Sequence, residues 1–177
     1  MKTRLITGAL AAAALTVGTF GALSAGAATP QAAPVSATVS DRNVHRTTHL
    51  TVDAATRAAQ AVLKAAGEDG QRVTVAVVDR NGNPLVVLRG DGAGPQSYES
   101  AERKAFTAAS WNAPTSELVK RLESTPTLKD IPGTLFLGGG VPVAVQGVPV
   151  AGIGVAGAPS GALDEKYAQA GAATLNR

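Results

Sequence analysis

The sequence predicts an α/β protein of the α+β type: a five-stranded, mainly antiparallel sheet packed with helices, in the order α-β-β-α-α-β-β-β-α. Short β-branched runs come in two hairpin-connected sets, and runs with apolar residues at helical spacing flank and separate them. Strands joined by tight turns pair antiparallel, which argues against a doubly wound parallel sheet. A further observation concerns the core. The 177 residues include one Trp, two Tyr and three Phe, so Val, Leu, Ile and Ala must fill it, and small side chains favour helices lying close on a sheet.

The N-terminal segment has a positive start (Lys2, Arg4), an apolar stretch from Leu5 to about Leu23 and the small-residue ending Ala25-Gly26-Ala27. This is the pattern of a secretory signal peptide, residues 1–27, cleaved after Ala27. The apolar run approaches the length of a membrane span, but it is rich in Ala, Gly and Thr, so export without membrane insertion is expected. No Arg-Arg pair is present, which favours the general export route over the twin-arginine one. Residues 28–44 are expected to form a flexible mature N-terminus and 45–177 the folded domain.

Thr51 is placed to cap the first helix, in which Ala54, Ala55, Ala58, Ala61, Val62 and Ala65 recur at helical spacing up to Gly67, read as its C-terminal glycine. Arg72 to Asp79 is β-branched and apolar, Arg80-Asn81-Gly82-Asn83 makes a tight turn, and Pro84 to Arg89 returns; Asn-Gly between apolar runs is a strong hairpin signal. A Gly-rich loop leads to a helix from about Ser97 to Trp111, ended by Asn112-Ala113-Pro114. Thr115 or Ser116 is expected to cap a shorter helix through Leu122. Pro126 and Pro132 bracket an irregular stretch into Leu135-Phe136-Leu137, read as a strand; Val141 to Gln146 and Val148 to Val155 are the last two strands, joined through Gln146-Gly147. Ser160 caps a final helix over Leu163 to Leu175.

Composition excludes several function classes. Without Cys there are no disulfides, zinc-thiolate sites, iron-sulfur clusters or thiol nucleophiles, and Met1 is the only Met, so a Met haem ligand is excluded as well. Sixteen Lys and Arg against thirteen Asp and Glu give +3, but setting Lys2 and Arg4 aside leaves +1. The remaining basic residues are scattered among acids, which argues against a nucleic-acid partner. Gly152-Ile153-Gly154-Val155-Ala156-Gly157 fits GxGxxG, yet no strand follows the last helix, so these glycines are read as permitting close approach rather than binding a dinucleotide. Gly138-Gly139-Gly140 lacks the Lys-Ser/Thr of a phosphate loop, and Ser160 lies in no GxSxG elbow.

Three pairs of residues remain as candidates for chemistry. His45 and His49, the only histidines, stand four apart before the first helix; that spacing grips a metal if both are helical, and otherwise gives two solvated rings. Glu99 and Glu102, three apart, share one helix face. They are either a carboxylate pair for a hard cation such as iron or part of a solvated face salted by Arg103 and Lys104. Tyr98 and Tyr167 offer phenolates, a haem ligand type, or lie at the edge of the core; Trp111 is read as core.

The ordered set LTVDAATRAAQAVLKAAGEDG, VTVAVVDRNGNPLVVLRGDGA, ESAERKAFTAAS, Gly133-Thr134-Leu135, GGGVPV and GVPVAGIGVAGA with nearby Asp164 resembles the GlcG/HbpS family, most of all its secreted haem-binding branch in actinomycetes. The match covers about residues 49 to 177. The resemblance implies an antiparallel sheet with helices, a homo-octamer, and binding of haem and of iron ions. It also implies slow haem degradation under peroxide stress and a partnership with the extracytoplasmic part of a two-component sensor histidine kinase. Carried over residue by residue, it assigns haem coordination to His49 and Thr134 and iron to Glu99 and Glu102, with no role for His45. A neutral Thr hydroxyl beside an imidazole would hold haem loosely, as suits a sensor or scavenger. Rival expectations are an extracellular haem-degrading enzyme using Glu99 and Glu102 as acid and base, and a structural oligomer with incidental haem binding.

Overall fold

The computed structural model describes residues 36–176. The expected signal peptide, 1–27, and the first part of the expected 28–44 tail lie outside the described residues. Contacts divide the chain between Val44 and His45. In the first unit, residues 36–40 are exposed without regular structure and Asp41–Asn43 form a 3-10 turn, closed by the Asn43 N–H on the Ser40 carbonyl at 2.8 Å.

The second unit holds α1 (Val52–Glu68), β1 (Thr74–Asp79), β2 (Pro84–Arg89), α2 (Ser97–Trp111), α3 (Thr115–Arg121), β3 (Gly140–Val145), β4 (Val148–Ala156) and α4 (Gly161–Ala173). The sheet has four strands, not five, in the order β2-β1-β4-β3, every neighbour antiparallel. The missing strand is Leu135–Leu137. Its backbone donors go elsewhere: the Leu137 N–H folds back on the Leu135 carbonyl at 3.0 Å, and the Leu135 N–H reaches the Thr107 hydroxyl of α2 at 2.8 Å. Phe136 is buried against Trp111, ring centroids 5.8 Å apart at 72°, so apolar burial here comes from a loop seated on helices.

Period-2 alternation sorts β1 and β4 between two layers of helix. Val75, Val77, Ile153 and Val155 face α1 and α4 in the main cluster with Ala55, Ala58, Val62 and Tyr167. Ala76, Val78 and Ala156 face α2 through Ala101, Ala105 and Ala109. On that same face Gly152 and Gly154 carry no side chain; a Cβ at either would collide with the backbone of Ala101 or Ala105, so the GxG spacing serves close helix-on-strand packing, as expected.

Thr51 accepts from the Ala54 N–H at 3.3 Å and Ser160 from the Leu163 N–H at 3.2 Å, as their places in the sequence predict. Two other termini differ. Helix α1 runs past Gly67 to Glu68, and the left-handed glycine is Gly70, with φ +67°; the Gln71 N–H closes on the Ala66 carbonyl at 2.8 Å. Helix α3 is preceded by Pro114, and the two hydroxyls expected as caps serve tertiary contacts instead. Thr115 accepts from the Gly140 N–H at 2.8 Å, and Ser116 donates to Glu165 at 2.6 Å.

Candidate functional site

Helix α2 presents one face to the sheet and the opposite one to solvent, and Glu99 and Glu102 stand on the solvent side, one turn apart. Glu99 is strongly exposed and lies 3.6 Å from an Arg103 nitrogen. The other Arg103 terminal nitrogen donates to the Thr134 carbonyl at 2.8 Å. Arg103 therefore ties the carboxylate pair to the loop that carries Thr134. Glu102 and Arg103, with Pro84, Phe106 and Gly133, line a groove of about 270 Å³ beside that loop. Two carboxylates on an exposed face supply donors suited to a hard cation. Among the described residues no group of three or more His, Asp or Glu side chains converges, so such a cation would need water or a second chain to complete its shell.

Thr134 is turned inward. It is 3% exposed, and its hydroxyl donates to the Ile131 carbonyl at 2.7 Å. His49, by contrast, is exposed just ahead of α1. One ring nitrogen, Nε2, meets the Thr47 hydroxyl at 2.7 Å, and the other makes no hydrogen bond to a described residue. Nothing among the described residues joins His49 to Thr134 by hydrogen bond or ion pair. His49 does act on Asp79 at the end of β1. Burial by itself would raise the Asp79 carboxyl, but the Asn83 and Asn81 N–H groups, the Asn83 amide and the nearby His49 charge hold it below the usual carboxylate range. Its neighbour Arg80 lines a second groove, of about 280 Å³, together with His45, Arg46 and Thr48. His45 thus gains a surrounding that sequence spacing did not give it. Tyr98 is exposed, whereas Tyr167 is buried with its hydroxyl donating to Asp69 at 2.9 Å.

The sequence reading missed Lys104. Expected on the solvated face with Arg103, it is 4% exposed. Its ammonium donates to Asp164 Oδ2 at 2.7 Å and to the Val155 carbonyl at 3.0 Å, while Asp164 Oδ1 accepts from the Ala158 N–H at 3.0 Å. Burial pushes the Asp164 carboxyl above its ordinary value against the pull of Lys104. The available signal was positional: Lys104 follows Ala101 by three and precedes Ala108 by four, so it shares their buried stripe.

Comparison with known proteins places the chain among HbpS-like proteins. A family model described as "Haem degrading protein HbpS-like" matches residues 50–173. The crystal structure of Streptomyces reticuli HbpS, as a double mutant with two glutamates three positions apart changed to aspartate, is similar at 70% identity and TM-score 0.79, covering 84% of this chain and all of that one. PduOC, solved as a haem complex, is similar at 25% identity and TM-score 0.67, over 73% of this chain and 96% of that one. An uncharacterised 15.0 kDa protein from the dhaT-dhaS intergenic region of Citrobacter freundii is 33% identical over 113 residues, 61% of this chain and 80% of its own length.

Proposed function

Because this chain belongs to the family of HbpS-like, haem-degrading proteins, we propose that it is an exported haem- and iron-binding protein that protects against redox and peroxide stress and modulates a membrane two-component sensor kinase. The observation that carries the haem reading is the exposed His49 imidazole. The Thr47 hydroxyl fixes one ring nitrogen and leaves the other open, which is how a protein orients an imidazole toward a metal. Relatives support the same reading: PduOC was solved with haem, at 25% identity. Bound haem supplies the peroxide chemistry; the chain supplies position.

Thr134 is assigned the second coordination place: its hydroxyl donates to Ile131 and so keeps its oxygen lone pairs for a metal, but at 3% exposure it reaches haem only if the loop over it shifts. A haem shared between copies of the chain, His49 from one and Thr134 from another, is in keeping with the homo-octamer that the family resemblance implies. Iron is assigned to Glu99 and Glu102, which have the three-residue spacing of the glutamates replaced in the S. reticuli mutant. Export rests on the Lys2/Arg4 start and the apolar run behind it.

Titration of the mature protein with haemin, followed at the Soret band, tests the assignment. His49→Ala is expected to weaken binding about tenfold or more, the usual cost of losing a metal contact, and to change the band position. Saturable binding unaffected by His49→Ala and by Thr134→Ala overturns the ligands, and absence of binding overturns the function. Iron uptake that survives the Glu99→Ala/Glu102→Ala double substitution removes the carboxylate site. The family's description as haem degrading favours one second reading, an enzyme proper, which predicts multiple turnovers of haem with a reductant, faster than free haem under the same conditions.

A further inference from the structure

Of the five asparagines in the chain, Asn81 alone precedes a glycine. It stands exposed in the β1–β2 turn, and its side-chain amide makes no hydrogen bond to a described residue. The backbone nitrogen that follows it belongs to Gly82, which has no side chain to screen an approach to the Asn81 amide carbon. The other turn asparagines are less favoured. Asn83 precedes Pro84, which has no N–H to give up, and Asn112 precedes Ala113 and donates its own amide to the Gly147 carbonyl at 3.2 Å.

In the closed turn the Gly82 nitrogen is occupied. Its N–H donates to the Asp79 carbonyl at 3.0 Å, and the Asp79 N–H donates to the Asn83 carbonyl at 2.8 Å. The Asp79 carboxylate adds three contacts, accepting from the Asn81 N–H at 2.8 Å, the Asn83 N–H at 2.9 Å and the Asn83 amide at 3.3 Å. Gly82 is also held from the far side, where an ideal Cβ would lie 2.5 Å from two ring carbons of Phe106. Attack on Asn81 therefore needs a local opening, whose frequency these contacts set.

We infer that Asn81 is a site of spontaneous modification and that the Asp79 carboxylate guards it. When the turn opens, the Gly82 nitrogen loses its proton and bonds to Asn81 Cγ; the Cγ–Nδ2 bond breaks, and ammonia leaves carrying that proton. The product is a cyclic imide. Water opens either of its carbonyls, leaving aspartate or, with the main chain rerouted through Cγ, isoaspartate. Water is the only co-reactant, and nothing is oxidised or reduced. Both products add a negative charge beside Asp79 and Arg80. Isoaspartate also lengthens the main chain ahead of Gly82 by one carbon and lifts it off Phe106. Gly82 and Phe106 line the groove with Glu102, Arg103 and Gly133, so the change is delivered where the carboxylate pair meets the Thr134 loop. The inference stands on the turn and does not need the haem reading.

The full mature chain, held in warm neutral buffer and mapped by peptide mass spectrometry with isoaspartate scored by enzymatic methylation, provides the test. Asn81 is expected to exchange its amide for a carboxylate ahead of every other asparagine. Asp79→Ala should speed this about two- to tenfold, the effect of losing one net hydrogen bond from the turn, while Asn112 keeps its rate. The isolated isoaspartyl fraction should melt below unaged protein, and Asn81→Asp, which keeps the main-chain length, should fall by less. An Asn81 that changes no faster than Asn112 overturns the site. Equal rates in wild type and Asp79→Ala overturn the guard, and so does a parallel rise at Asn112, which would assign the effect to general unfolding. An isoaspartyl fraction that melts with unaged protein overturns the link to Phe106.

Discussion

Asp79 closes the β1–β2 turn with its own side chain: one carboxylate oxygen accepts from the Asn81 N–H at 2.8 Å and the Asn83 N–H at 2.9 Å. Because these contacts favour the charged form, the folded protein holds Asp79 below its unfolded value. A depressed carboxyl contributes stability that is present above the unfolded pKa and lost as pH falls through the folded one. Asp69, lowered first by the Lys166 hydrogen bond and then by Tyr167, acts in the same direction. The melting temperature should therefore decline on acidification below about pH 4, the ordinary aspartate range. Asp79→Ala should start lower, by roughly 0.5–1.5 kcal/mol, and decline less steeply; a parallel decline in calorimetric pH series would refute this origin. The turn itself was legible from Asn81-Gly82. The carboxylate's role was not, because an Asp at a strand end looks the same whether it caps a turn or points to water.

At the level of elements, the small residues were the readable part and the irregular ones were not. Gly152 and Gly154 follow from strand periodicity plus the rule that a strand glycine marks close approach. Gly67 did not follow, since the chain needed its left-handed residue three positions later, at Gly70. The two cases predict opposite outcomes. A Cβ at Gly154 meets the Ala101 carbonyl and the Ala105 backbone, neither of which can turn aside. Gly154→Ala should cost about 1–3 kcal/mol or more, read as a lower urea midpoint. A Cβ at Gly67 meets nothing within 4 Å, inside a helix, so Gly67→Ala should gain about 0.5–1 kcal/mol. Similar shifts at both positions would show that helix-on-strand spacing is not what the strand glycines protect. Leu135–Leu137 was unreadable for a related reason: three apolar residues after a proline fit a strand or a loop pinned to a helix, and only the Thr107 hydroxyl, 28 residues away, decides.

Across the whole molecule, α2 is the organising piece. It packs on the sheet with one face, carries Glu99 and Glu102 on the other, and sends Lys104 through the fold to Asp164 on α4. The haem and iron assignments came from family resemblance: His49 and the Glu99/Glu102 pair stand on the surface, where sequence pattern says little, and Thr134 is buried. The internal ion pair joins residues 60 apart, beyond any local pattern. Either single substitution, Lys104→Met or Asp164→Leu, strands a buried charge and should cost about 3–5 kcal/mol, whereas the double substitution should recover most of the loss. Urea unfolding of the four proteins measures the coupling, and single costs below about 1 kcal/mol would contradict the pair's burial.

That pair also sets a condition on timing. However much of α2 and the sheet has formed, Lys104 has no counter-ion until α4 arrives with Asp164, so a chain cut short before that helix keeps an ammonium group sealed among alanines with nothing to neutralise it. Such a product is expected to be cut faster than the full chain in limited proteolysis. The internal charge thus works as a completeness check, separating finished molecules from fragments before any ligand is offered.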